Sequence, residues 1–339
     1  MRHETFATMR EALIAARLDP EDSRLRKVDK KEGARVADTE KGGRDDAGWV
    51  KKFSDGQSGV VCNHRTGQVF LWKENGGKHL TPSEKKRLDK EAAEARAMRD
   101  ALEAEKWRKA AEIAAEIWQA VQPAVEVGHP YLTRKHVRPE APLGVIDADA
   151  VRSIYQRATG EKVRWLKSKK LDCPMSGALL VVPCYLAGDV SKLSAVELID
   201  EVGSKVTLKD ARAKDAFWLP ADFEARAKES KSIYIAEGIA TALSISQVTG
   251  APCVAGRYCH NLVSTAVAVK EMIGRRRIAL TVCGDTGYGE ADARLAAVRT
   301  GAGFKRPVFD AASIEAFKEK TGGDKPTDFN DYFIATGVI

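Results

Sequence analysis

The regular alternation of apolar strands and helical segments in the last third of the chain most constrains the fold. Strand-like runs at 232–238, 252–256 and 277–285 are each followed by a helical segment. A shorter strand is predicted at 306–310. Strands that alternate with helices form a parallel, doubly wound sheet. The pattern therefore predicts a C-terminal α/β domain with a Rossmann-like parallel sheet over residues 229–339.

Acidic residues stand where two of these strands end. Glu237 closes the first strand and Asp285 closes the third, and Gly238 and Gly284 beside them leave room for a ligand. Ligands of such sheets bind beyond the carboxyl ends of the strands, where helix N-termini can also hold phosphate oxygens. Two carboxylates at that edge suit Mg²⁺ and phosphoryl transfer. For either residue alone, a helix-capping role is the alternative.

The region 123–228 mixes elements in a different order. Apolar or alternating runs at 143–147, 151–157, 177–186 and 192–200 are interpreted as strands. Turn residues separate these strands, so the region is predicted to form an α+β middle domain.

Residues 81–122 predict one long charged helix. Thr81 and Glu84 form a capping pattern around Pro82, and neither Gly nor a second Pro interrupts the following stretch. The helix would span about 38 residues, or about 57 Å. Before it, residues 1–80 combine a short helix with strands around Asp-Gly and Thr-Gly turns, which predicts a small α+β module.

Composition limits the partners and the location. The chain has 339 residues and a net charge of +7, which favours polyanionic partners. The six cysteines form no Cys-x-x-Cys pair and are expected to be free thiols. No apolar run has the length needed to cross a bilayer, and the N-terminus lacks a signal-peptide core. We expect a cytoplasmic protein without a membrane partner.

The acidic motifs, taken together, resemble the Toprim signature of plasmid- and phage-type DNA primases. Glu237-Gly238, Asp285 and the segment Asp328–Asp331 occur in the order typical of that family. The segments 129–135 and 181–205 are similar to it as well. The resemblance covers most of the chain, and the shared order of motifs carries it.

This resemblance implies synthesis of short RNA primers on single-stranded DNA from nucleoside triphosphates, for plasmid or phage replication. Glu237 and Asp285 would be catalytic and would bind Mg²⁺ or Mn²⁺, together with Asp328 or Asp331. Gly238, Gly284 and Asn261 would contact phosphates or the nucleotide. A helicase or a replication initiator would act in trans. The basic residues that would hold nucleic acid are Arg134, Lys135, Lys167, Lys169, Lys170, Arg275, Arg276 and Arg277. For each of these, a solvated surface position is the alternative.

One departure from the family pattern leaves catalysis open. The family's second aspartate falls at Gly287, and Glu290 or Asp292 would have to replace it. If neither does, the chain is a catalytically degenerate Toprim protein that acts as a DNA-binding or replication-accessory factor. A Toprim nuclease is a third hypothesis, but the segment 129–135 resembles primases and favours that function instead.

A zinc site in the N-terminal module is not expected. Cys62 and His64 have only His79 near them in sequence, and structural zinc requires about four ligands.

Overall fold

The computed structural model describes residues 4–30, 33–39, 47–53, 57–74, 82–287, 289–323 and 325–338. The chain divides into two compact units, residues 1–95 and 96–339. The finer four-part division made from the sequence stays a prediction. Within the described ranges, no helix is both long and apolar enough to span a membrane.

The N-terminal unit is a small α+β module built on a five-stranded sheet. Strand β1 pairs in parallel with β5, and the remaining strands pair antiparallel in the order β5-β4-β3-β2. Its elements are β1 (Thr5–Phe6), α1 (Met9–Ala15), a 3₁₀ helix (Ser23–Lys30), β2 (Ala34–Val36), β3 (Gly48–Lys52), β4 (Ser58–Asn63) and β5 (Gln68–Lys73). Leu13, Leu18 and Trp72 are buried in its core. The predicted strands around the two turns are confirmed.

The long helix α2 runs from Pro82 to Gln119 over 38 residues, as the sequence predicts. The predicted cap, Thr81, lies outside the described residues. Toward the C-terminal end of α2, Ile113 and Ile117 are buried in an apolar core, whereas Met98 and Leu102 near its middle are exposed. The C-terminal part of the helix is therefore held by packing.

The middle region of the second unit is built on an antiparallel sheet. The strand order is β12-β11-β10-β7-β6, with β13 paired to β10. The elements are β6 (Gln122–Pro123), α3 (Ala124–Val127), α4 (Pro130–Arg134), β7 (Gly144–Asp147), α5 (Ala148–Thr159), β8 (Lys167–Ser168), β9 (Cys173–Pro174), β10 (Ala178–Leu186), β11 (Asp189–Ile199), β12 (Lys205–Thr207), β13 (Ala216–Phe217) and α6 (Phe223–Glu229).

The strand predicted at 151–157 is wrong, because this segment belongs to α5. Asp147 caps the helix by accepting a hydrogen bond from the backbone N–H of Asp149, and Gly160 ends it in the left-handed conformation. Val151, Ile154 and Tyr155 are buried at helical spacing. The apolar residues lie three and four positions apart, which fits a helix better than the two-residue period of a strand.

The C-terminal region forms the expected parallel sheet. Its strand order is β15-β14-β16-β17, and all three pairings are parallel. The elements are β14 (Ser232–Ala236), α7 (Ile239–Thr249), β15 (Cys253–Ala255), α8 (Leu262–Ile273), β16 (Ala279–Cys283), α9 (Glu290–Thr300), β17 (Gly303–Lys305), α10 (Ala311–Thr321) and α11 (Phe329–Thr336). A 3₁₀ turn, Cys259–Asn261, precedes α8.

The last strand is displaced from its predicted position at 306–310. It covers Gly303–Lys305 and pairs with Thr281–Cys283. Pro307 carries no N–H group for a sheet hydrogen bond, so the segment after Arg306 cannot continue the ladder.

One apolar core joins the middle and C-terminal regions of the second unit. Leu132 and Trp218 from the middle region are buried together with Leu243 of α7 and Phe329 of α11. This shared core places the carboxyl ends of the parallel strands next to α4 and β12.

Candidate active site

Glu237 lies immediately after β14, at the carboxyl edge of the parallel sheet. Its backbone carbonyl accepts a hydrogen bond of 2.7 Å from the N–H of Arg257. Burial raises the pKa of the Glu237 carboxyl, and Lys205 partly offsets this effect. Adjacent Asp328 and Asp292 raise the pKa further.

Asp285 follows β16 at the same edge. Gly284 before it packs so closely that an added Cβ would lie 2.8 Å from the Cβ of Ala293, which fixes the path of the chain. Oδ1 of Asp285 is buried and has no hydrogen-bond partner among the described residues. Burial, together with Asp328 and Glu237, raises the pKa of Asp285 to about 8. A buried oxygen without a partner at this position is suited to an incoming cation.

Asp328 caps α11 and accepts a hydrogen bond of 2.8 Å from the N–H of Asp331. Burial and Asp331 raise its pKa, and Lys135 lowers it. Asp331 is engaged through both oxygens. Oδ2 accepts from the N–H of Thr327 at 2.9 Å, and Oδ1 pairs with Nζ of Lys135 at 3.2 Å. Asp331 therefore holds Lys135 in place, and Asp328 is the carboxylate that remains for a ligand.

The three carboxylates share one cavity of about 240 Å³ with a set of basic side chains. Its lining residues are Tyr131, Lys135, Lys170, Gly203, Lys205, Glu237, Gly238, Ala240, Thr241, Arg257, Asp285 and Asp328.

Lys205, at the start of β12, lines the cavity together with the carboxylates. Burial alone would lower its pKa, but Tyr131, Glu197, Asp328 and Glu237 outweigh that effect and raise it. Lys205 therefore stays charged, and it balances part of the negative charge of the carboxylates.

Arg257 contributes a second buried cation, with 1% of its side chain exposed. Its Nη2 lies 3.5 Å from Oε1 of Glu197 on β11 and donates to Oγ1 of Thr207 at 2.8 Å. Nε and Nη1 are buried without a hydrogen-bond partner among the described residues. The cavity thus contains N–H donors without acceptors beside a carboxylate oxygen without a donor.

Comparison with known proteins agrees with this geometry for the C-terminal region. Residues 232–338 match the family model described as the Toprim domain. The C-terminal region is a Toprim domain. A search of curated protein sequences gave no match.

Solved primase structures are also similar to parts of the chain. A structure of bacteriophage T7 lagging-strand DNA polymerase with the primase domains of two gp4 subunits aligns at 13% identity and a TM-score of 0.29, over 44% of this chain and 79% of that one. The Aquifex aeolicus primase, with its zinc-binding and RNA polymerase domains, aligns at 12% identity and a TM-score of 0.41, over 68% of this chain and 58% of that one. The DnaG primase catalytic domain bound to ssDNA aligns at 11% identity and a TM-score of 0.37, over 66% and 81%.

The Toprim domain does not bring every predicted phosphate-contacting residue to the cavity. Gly238 lines it at the N-terminus of α7. Gly284 is required for packing. Asn261 is buried, and its amide donates to the carbonyls of Ala213 and Ala216 while accepting from the N–H of Asp215. Asn261 therefore ties the 3₁₀ turn to the middle region and has no group left for a phosphate.

Neither candidate for the missing family aspartate lines the cavity. Glu290 pairs with Arg294 at 2.6 Å and with Arg306 at 3.7 Å. Asp292 accepts from Nδ1 of His260 at 2.9 Å. Gly287 itself is exposed, with open space around the position of a Cβ. The departure at Gly287 is therefore not repaired inside the cavity by the described residues.

The predicted nucleic-acid-binding residues fall into two places. Lys135 and Lys170 line the cavity, and Arg134, Lys167 and Lys169 are exposed on the same region. Arg275, Arg276 and Arg277 are exposed before β16, whereas Asp285 follows it. Strand β16 places roughly 16 Å between the arginines and Asp285, so the arginine cluster lies at the opposite edge of the sheet from the cavity.

The sequence does not identify three of the cavity residues as site residues, namely Lys205, Arg257 and Tyr131. Lys205 could have been found, because it ends the segment 181–205 that resembles the primase family. Arg257 has a φ of 71°, which is unusual for a residue other than glycine, and no sequence pattern indicates it.

The expectation that Cys62 and His64 form no zinc site stays a prediction. Cys62 lies on β4, and His64 follows that strand. His79 lies outside the described residues.

Proposed function

We propose that this protein is a Toprim-domain primase. It would synthesise short RNA primers on single-stranded DNA by metal-dependent nucleotidyl transfer, for replication of a plasmid or phage. One observation carries the proposal: Glu237, Asp285 and Asp328 share a cavity with Lys135, Lys170, Lys205 and Arg257. Carboxylates and cations so arranged can receive a metal ion and a phosphate chain together.

The donor set fits Mg²⁺ or Mn²⁺. Carboxylate oxygens are the ligands these hard ions prefer, and Asp285 offers a buried oxygen that no described residue hydrogen-bonds. Glu237, Asp285 and Asp328 would hold the ion, while Asp331 is committed to Lys135. When bound, the ion would neutralise phosphate charge and favour deprotonation of the attacking hydroxyl.

The basic side chains would bind the triphosphate of a nucleotide. Nε and Nη1 of Arg257 find no acceptor in the part of the chain that the structure describes, and Lys135 and Lys205 lie near the carboxylates. Gly238 adds the N-terminus of α7, an 11-residue helix whose first N–H groups favour an anion. These groups would orient the nucleotide while the carboxylates hold the metal.

The template strand would lie over exposed basic residues beside the cavity. Arg134, Lys167 and Lys169 are exposed there, and each phosphate contact would add salt-dependent affinity. A helicase or replication initiator would deliver the template in trans, in the cytoplasm. Arg275–Arg277 would belong to a different contact.

Primer synthesis tests this proposal directly. The full chain is incubated with single-stranded DNA, labelled nucleoside triphosphates and Mg²⁺ or Mn²⁺. Glu237→Gln and Asp285→Asn are each expected to reduce product by about 100-fold or more, because each removes a charged ligand. Glu224→Gln is the matched control, since Glu224 is exposed on α6, away from the cavity.

The alternative is a protein that binds DNA without catalysis. The exposed Gly287, and the engagement of Glu290 and Asp292 elsewhere, favour it. Wild-type protein that binds single-stranded DNA but forms no product with either metal would contradict the primase proposal and support this alternative.

A further inference from the structure

Cys259, His260 and Asp292 bring three different metal-binding atoms together outside the carboxylate cavity. Their ligand atoms all lie within 4.8 Å of one another. Nδ1 of His260 is 3.8 Å from Sγ of Cys259 and 2.9 Å from Oδ2 of Asp292. In a tetrahedral zinc site, the ligand atoms lie about 3.3–3.7 Å apart, given the usual bond lengths. Small side-chain adjustments would therefore suffice to enclose an ion.

The backbone already fixes these ligands in position. Cys259 and His260 belong to the 3₁₀ turn Cys259–Asn261, which Asn261 ties to the middle region. Asp292 lies in the first turn of α9. Two separate, well-anchored elements thus present the three side chains to one point, as a preorganised site requires.

The chemistry of the three ligands selects the class of ion. A thiolate, an imidazole and a carboxylate suit Zn²⁺ and related transition metals, whereas Mg²⁺ avoids sulfur. We propose that Cys259, His260 and Asp292 bind a divalent transition-metal ion, with Zn²⁺ as the first candidate. Binding would release the thiol proton of Cys259 to solvent. Three protein ligands leave a fourth position for water or a neighbouring carboxylate.

Glu237 is that neighbour. A Cβ added at Gly289 would lie 2.8 Å from Oε2 of Glu237 and 3.2 Å from the Cβ of Cys259, so both side chains pack against the same glycine. The ion would therefore lie beside Glu237, whose family partner carboxylate is missing at Gly287. A role as a second cation of the active site rests on the proposed primase function; the binding of the ion does not.

Cobalt binding tests the site, because a thiolate bound to Co²⁺ gives a charge-transfer absorption that oxygen ligands do not. The full chain, freed of metal with a chelator, is titrated with Co²⁺. Wild-type protein is expected to show the absorption with one equivalent of cobalt, and Zn²⁺ should displace it. Cys259→Ser should abolish it, and His260→Ala should weaken binding roughly tenfold or more.

The control variants separate this site from other thiols and from the carboxylate cavity. Cys173→Ser removes a partly exposed thiol elsewhere and should leave the absorption unchanged. Asp285→Asn should also leave it unchanged while removing primer synthesis. His260 is 70% exposed, so His260→Ala is expected to fold even if Cys259→Ser does not.

Two results would overturn the site. One is wild-type protein without the absorption, and the other is an absorption that survives in Cys259→Ser with unchanged cobalt affinity in His260→Ala, or in Cys259→Ser alone, which would show adventitious binding at another thiol. Because the readout is spectroscopic, failure of primer synthesis in wild-type protein would not affect it.

Discussion

At the scale of single residues, charge in the cavity is balanced by specific neighbours. Burial raises the pKa of Asp285 to about 8, whereas Lys205 keeps its charge because Tyr131 and the carboxylates surround it. A ligand that brings both a cation and an anion would pair with the carboxylates through the cation and with the basic side chains through the anion. Among the described residues, Oδ1 of Asp285 and two guanidinium nitrogens of Arg257 have no hydrogen-bond partner, and such a ligand would supply one.

Asp22 in the N-terminal unit provides a pH-dependent prediction. Its carboxylate accepts hydrogen bonds from Arg24 and from the N–H of Ala37 at 2.9 Å, and the Arg24 contact lowers its pKa from 3.8 to about 2. A lowered folded-state pKa adds stability that is complete above the ordinary pKa and is lost as the pH falls through about 2. Asp22→Asn should therefore reduce stability at pH 7 by about 1 kcal/mol, after allowance for solvent screening.

Denaturant-dependent hydrogen exchange in β2 would measure this effect at pH 7 and pH 3. The difference between wild type and Asp22→Asn should shrink to roughly half at pH 3, because the unfolded carboxyl is then mostly protonated. Asp19→Asn is the control, because the Asn oxygen can still accept from the N–H of Glu21. A difference that does not change with pH would show that the carboxylate charge is not its source.

At the scale of elements, the ion pair between Arg257 and Glu197 joins the loop after β15 to β11. Both side chains are nearly fully buried, at 1% and 3% exposure. Glu197→Gln would leave the guanidinium charge uncompensated, at a cost of about 3 kcal/mol. The double variant Glu197→Gln/Arg257→Met should recover much of that loss, since neither of these two positions then carries a buried charge.

Denaturant unfolding of wild type, Glu197→Gln, Arg257→Met and the double variant would measure the coupling energy between the two side chains. The exposed pair of Lys209 with Glu161 is the matched control, and Glu161→Gln should leave the free energy of unfolding nearly unchanged. Simple addition of the two single-variant effects would show that the side chains stabilise the protein independently.

The elements also show what the sequence can predict. The sequence predicts the strands before Glu237 and Asp285 correctly, because apolar runs followed by helices are a strong local pattern. It does not distinguish helix from strand at 151–157, because over so short a segment the apolar residues fit both the helical and the strand period. The contributions of Lys205 and Arg257 depend on packing between distant segments, which no local pattern encodes.

At the scale of the whole molecule, the two units have separate apolar cores. Trp72 and Leu13 belong to the core of the N-terminal unit, whereas Ile117 belongs to a core of the second unit that includes Leu179 and Leu198. Since stability follows local packing, a cavity made in one core should not weaken the other. The long helix α2 provides a way to test this independence.

Ile117→Ala should destabilise the second unit by about 3 kcal/mol and leave the first unchanged, because Ile117 is fully buried in the second core. Hydrogen exchange resolved along the chain would show faster exchange in β10 and β11 and unaltered exchange in β3–β5. Leu102→Ala, on the same helix at a position 57% exposed, should change neither. Faster exchange in both units of Ile117→Ala would mean that they unfold as one cooperative body, and the carboxylate cavity would then depend on the N-terminal module as well.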